Sequence, residues 1–177
     1  MKIAPALVAL TLLAAPAAAL ADCADAAGPG IEWRRCLMDG EDMSGVVLIG
    51  ADLRSASFKR TNLAGADLTE SRATGTKFIS ADMTGVQMDR AVMLRADFTS
   101  ANLTGASFRN ADLRRARFYD AKLWNADLTG ARLEGADLLR TDFSGATWTD
   151  GATICAEGSI GRCIATSPAG EQVDDGS

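Results

Sequence analysis

Laid out in fives from Ile31, the chain repeats without insertion or deletion as far as Asp150, 120 residues in 24 units. Typical units are Ala51-Asp52-Leu53-Arg54-Ser55, Ala101-Asn102-Leu103-Thr104-Gly105 and Ala126-Asp127-Leu128-Thr129-Gly130. The third position holds ten Leu, six Phe, five Met, two Trp (Trp33 and Trp148) and one Ala (Ala73). Every Phe of the chain, and every Met beyond Met1, falls in that single phase. If each were free to take any of five phases, the agreement would be an accident on the order of one in ten million. The first position is Ala in 15 of the 24 units. One large and one small inward residue per five, with polar residues between, fits neither the 3.6 period of a helix nor the alternation of a strand. It fits a chain that turns a corner every five residues, with small side chains where the backbone crowds and large ones filling the axis.

A period of twenty lies over the period of five. The third positions Met38, Phe58, Phe78, Phe98, Phe118 and Leu138 form one column, and Met43, Leu63, Met83, Leu103, Leu123 and Phe143 the next. Four fives per coil means four sides, and 24 units make about six coils. Coils that bond like neighbouring strands lie ~4.8 Å apart, so the rod is roughly 29 Å long and consecutive Phe rings come within stacking range.

The A(D/N)LxG pattern of residues 31–150 resembles the pentapeptide-repeat family. The resemblance implies an all-β chain folded as a right-handed quadrilateral β-helix, a solenoid. Ala73 departs from the pattern, small at a large position, and Met93 is expected to lean into the space. A solenoid must protect its two ends from recruiting other chains. Residues 22–30 read as an N-terminal cap segment, 151–166 as a C-terminal cap and 167–177 as a disordered acidic tail. The four cysteines sit at these ends. The ends of a six-coil rod are much farther apart than the ~7 Å between Cα atoms that a disulfide tolerates. Pairing is therefore expected within each end, Cys23 with Cys36 and Cys155 with Cys163.

An even number of cysteines at the ends of a chain suits an oxidising compartment. Residues 1–21 agree with that, since Lys2 begins a short positive segment, Ile3 to Ala15 is apolar, and Ala19-Leu20-Ala21 is a small-residue cleavage site. A membrane anchor is the competing reading of the same run. Pro5, Pro16 and the Ala-rich end favour cleavage after Ala21, which leaves a mature form without a membrane span. Asp22 stands where a lipoprotein box before Cys23 needs a small residue, which argues against lipidation. The expected location is exported, periplasmic or secreted from a bacterium.

Absence of His excludes Ser-His-Asp and Cys-His catalysis and His-ligated metal. No clustered acid, base or nucleophile suggests an enzyme, and no cofactor is expected. Metal binding is not expected either, because isolated Asp residues do not form a clustered Ca²⁺ loop. The net charge of -5 disfavours nucleic acid as a partner. That total hides a polarity. The side built on Trp33, Leu53, Ala73, Met93, Leu113 and Leu133 carries eight Arg against four acids, net +4, while the Phe side is +1 and the other two sides -3 each. Arg34, Arg35, Arg54, Arg95, Arg114 and Arg115 form a candidate anion-binding face, since guanidinium groups suit carboxylate or phosphate arrays. Charges that merely cover an inert surface are the plainer reading of the same residues. Tyr119 and Trp124 are aromatics at outward positions on adjacent sides, placed to meet a partner, a second copy or the tail.

These readings converge on a non-enzymatic exported scaffold, monomeric or a weak homodimer, that binds a protein or an anionic envelope component through its charged faces. The alternative is a DNA mimic that binds gyrase, as the quinolone-resistance members of the family do. The export signal and the Arg-rich side oppose it.

Overall fold

In the computed structural model, residues 23–166 are described. The expected signal segment, its cleavage site at Ala21 and the acidic tail lie outside them. From Ile31 onward the chain turns a corner every five residues. Parallel bridges join each second-position residue to the one twenty along, Glu32 to Asp52, Asp52 to Arg72 and so on up to Arg132. Three further columns begin at Leu37, Asp42 and Val47, giving the four sides of a quadrilateral β-helix. The bridges are isolated because a corner every five residues leaves each side room for only one.

The backbone accounts for four of the five N–H groups in a unit. The unit Ala51 to Ser55 serves as the example. Leu53 N–H donates to Arg72 O on the next coil at 2.8 Å, and Ser55 N–H to Thr74 O at 3.0 Å. Asp52 N–H donates back to Ile31 O on the previous coil at 2.8 Å. Ala56 N–H closes the corner by donating to Leu53 O at 3.0 Å. The fifth-position residue inside that corner has positive φ, between 55° and 79° from Arg35 to Gly145, which is the requirement of a type II turn.

The third positions fill the axis. Phe58, Phe78, Phe98 and Phe118 stack with centroids 5.5, 5.1 and 4.9 Å apart, and Phe108 meets Phe98 and Phe118 edge-on. Ala73 and Met93 are both fully buried in that axis. Polar first-position residues are accommodated by hydrogen bonds, as Thr76 Oγ1 donates to Leu53 O at 2.7 Å and Thr141 Oγ1 to Phe118 O at 2.8 Å.

At the C-terminal end the chain reverses over the last coil. Ile154 pairs antiparallel with Thr147, and Ile160 with Asp142. Cys155 and Cys163 stand at disulfide distance with Cα atoms 4.9 Å apart, which closes this cap. Cys23 and Cys36 do the same at the other end, at 5.5 Å. No helix among the described residues is long and apolar enough to cross a membrane.

Candidate functional site

With the axis filled by packing, chemistry is left to the outer positions, the second, fourth and fifth of each unit. The fourth-position N–H is the one that no backbone carbonyl takes. Eleven second-position residues are Asp or Asn, and each accepts a hydrogen bond from the N–H two residues on, at 2.9 to 3.4 Å. Where the second position is Ser57 or Ser107, an Asp one coil below replaces it: Asp39 takes the Lys59 N–H and Asp89 the Arg109 N–H. These carboxylates are structural acceptors, a role that sequence inspection missed. The signal was present, since Asn substitutes freely for Asp at that position and shares its acceptor oxygen but not its charge.

The structure divides the Arg side in two. Asp52, 2% exposed, lies beneath three guanidinium groups: Arg54 grips both its oxygens at 2.8 and 2.6 Å, with Arg34 at 3.5 Å and Arg72 at 3.7 Å. Arg34 also pairs with Glu32. Asp112 is gripped by Arg114 in the same two-pronged way, at 2.7 and 2.6 Å, and Arg132 lies 3.7 Å from Glu134. The Arg54 hydrogen bonds hold the Asp52 carboxyl below the usual carboxylate range against the opposing effect of burial. Arg114 does the same for Asp112.

Arg35, Arg95 and Arg115 are different. They occupy fifth positions at one corner of the square, with φ of 61°, 58° and 58°, and have no carboxylate partner among the described residues. Arg95 and Arg115 stand on consecutive coils, whereas Arg35 is three coils below Arg95. On the next coil the corner is Gly135, whose missing side chain leaves room for Arg115 to lie against it. An open hollow of about 430 Å³ is lined by Arg95, Arg115, Arg117, Asp97, Gly135 and Asp137. Of the six candidate anion-binding residues, Arg34, Arg54 and Arg114 are thus tied to acids, and Arg95 with Arg115 forms a two-cation corner. No group of three or more Cys, Asp or Glu residues gathers at metal-binding distance among the described residues.

The family model described as pentapeptide repeats (8 copies) matches five overlapping segments of the chain, residues 34–63, 56–93, 78–115, 93–123 and 116–147. The chain belongs to the pentapeptide repeat family. Members of that family are right-handed quadrilateral β-helices and are generally structural or binding scaffolds rather than enzymes. Similar solved structures include the pentapeptide repeat protein Rfr23 from the cyanobacterium Cyanothece 51142, 21% identical, with 68% of this chain and 89% of that chain covered and a TM-score of 0.47. A trypsin-treated variant of QnrB1, a plasmid-mediated fluoroquinolone resistance protein, is 22% identical, with 67% and 63% covered and a TM-score of 0.42. A pentapeptide repeat protein of the Arabidopsis thaliana thylakoid lumen is 27% identical, with 64% and 69% covered and a TM-score of 0.26. No curated protein matches the chain. Membership rests on the repeats themselves.

Proposed function

We propose that this pentapeptide repeat protein is a non-enzymatic exported scaffold of about six coils, with disulfide-closed ends, that binds an anionic envelope component or an acidic protein surface. The contact is the corner of Arg95 and Arg115. One observation carries the reading: among the described residues these two Arg, on consecutive coils, have no carboxylate partner, while five of the other six Arg on their side sit against Asp or Glu. Guanidinium groups one coil apart, ~4.8 Å, suit neighbouring oxygens of a phosphate or carboxylate array. Two cysteine pairs at disulfide distance fit a location outside the cytoplasm, and residues 1–21 with cleavage after Ala21 supply the route. The chain would act as a monomer or weak homodimer, without a cofactor. The DNA-mimic alternative is disfavoured by the export reading and by the eight Arg of one side.

The test is retention of envelope anions, with lipopolysaccharide and acidic cell-wall polymer as immobilised probes. Arg95→Ser with Arg115→Ser is expected to lose retention, and Arg54→Ser with Arg114→Ser to keep it. Equal retention by both double variants would overturn the assignment. Cell fractionation run alongside decides export: an unprocessed cytoplasmic protein would revive the DNA mimic.

A further inference from the structure

A second hollow lies on the third side, at the junction of the last coil with the C-terminal cap. It is an open hollow of about 540 Å³, within the volume range of small-molecule sites, and is lined by Trp124, Asn125, Asp142, Ser144, Gly145 and Glu157 with Gly158 beside them. Trp124 is 42% exposed and is one of two aromatics at outward positions of the repeat. The other, Tyr119, is already covered by the Arg140 guanidinium, 5.8 Å from its ring centre. The Lys122 ammonium lies over the Trp124 ring, 5.3 Å from its centre. Trp124 lines the hollow and Lys122 does not.

The polar groups around this platform are open to a ligand. The Asn125 side-chain amide and the Glu157 carboxylate have no hydrogen-bond or ion-pair partner among the described residues. Gly145 leaves room for the Asn125 side chain, because a Cβ there would collide with Asn125 Oδ1. Three classes of ligand can be compared on charge. An anion would meet Asp142 and Glu157. A cation would be drawn to those carboxylates but would find the indole already carrying Lys122, which leaves the ring unused. A neutral polyol avoids both, its C–H face resting on the indole and its hydroxyls donating to Glu157 and Asn125 and accepting from the amide.

We infer that the Trp124 hollow binds a pyranose unit of a neutral saccharide chain. The site is independent of the Arg corner, lying on another side and probing a different chemistry, so either can fail alone. Calorimetric titration of the full chain with tetramers of N-acetylglucosamine and of glucose tests it, read together with tryptophan emission. Trp33 is buried and Trp148 largely so, which makes Trp124 the responsive reporter. The expected result is saturable binding with an emission shift, weakened at least about tenfold by Trp124→Ala as loss of a stacked ring predicts. Tyr119→Ala should bind as the parent does. Should Trp124→Ala fail to fold, Asn125→Gly carries the test, since glycine suits the φ of 55° there and removes only the amide; it should weaken binding several-fold. No saturable binding of either tetramer up to roughly 10 mM, or unchanged binding in the variants, would overturn the assignment.

Discussion

Asp67 illustrates what the second position is for. Its carboxylate accepts the Thr69 N–H at 2.9 Å, completing the hydrogen bonding of a unit whose other N–H groups are bonded by backbone carbonyls. Charge is incidental to that task, so Asp67→Asn should leave the thermal midpoint nearly unchanged. Asp67→Val should cost about 1 kcal/mol, the worth of a lost side-chain acceptor at a backbone donor. Thermal unfolding of the two variants separates the hydrogen bond from the charge. Equal loss in both would show that the charge matters after all. Ser71 makes the opposite case. It is fully buried at a first position, and its Oγ has no hydrogen-bond partner among the described residues, unlike Thr76 with its bond to Leu53 O. Ser71→Ala restores the commonest residue of that position and removes the uncompensated hydroxyl. It is expected to raise stability by about 1 kcal/mol in denaturant unfolding.

Corners are the elements of this fold, and they are where the sequence was least legible. The period of five located the large and small inward residues, because burial in a narrow axis leaves those positions little choice. It did not announce that thirteen non-glycine residues would hold positive φ at the fifth position. An L-residue there costs roughly 1 kcal/mol, an amount that the bonds across the corner readily offset. Glycine is therefore not needed at every corner, but neighbouring coils restrict where it can be replaced. A Cβ at Gly65 would meet nothing within 4 Å, whereas one at Gly130 would run into the Asn110 side chain on the coil below. Gly65→Ala should cost about 1 kcal/mol and Gly130→Ala about twice that. Adding Asn110→Gly to Gly130→Ala should recover the difference. Additivity in that double-mutant cycle would refute the coil-to-coil contact.

At the scale of the whole molecule, the side-by-side charge count found the basic side but could not tell its bound cations from its free ones. Net charge sums over a side, while pairing depends on whether an Arg stands at the fourth position, where it can fold back on the Asp two residues earlier, or at the fifth, where it needs an acid at the same corner one coil below, as Glu70 serves Arg90 and Asp120 serves Arg140. Arg54 and Arg114 are of the first kind, Arg95 and Arg115 of the second. The paired acids also set how the rod responds to acid. Arg54 and Arg114 lower the carboxyl pKa values of Asp52 and Asp112 in the folded protein. Burial opposes the shift at Asp127 and Asp142, yet hydrogen bonds from Thr129 and Ser144 leave those carboxyls lowered as well. A carboxyl held below its unfolded value of about 3.9 contributes its full stabilisation above that pH and loses it as the pH falls through the folded value. The unfolding midpoint should therefore be flat from about pH 7 to about pH 5 and fall steeply below about pH 4. Because Asn keeps the acceptor for the fourth-position N–H but cannot titrate, the double variant Asp52→Asn, Asp112→Asn should start lower at pH 7 and lose less between pH 4 and about pH 2. Parallel acid profiles for the parent and the variant would mean that the Arg-bound carboxylates are not what acid attacks.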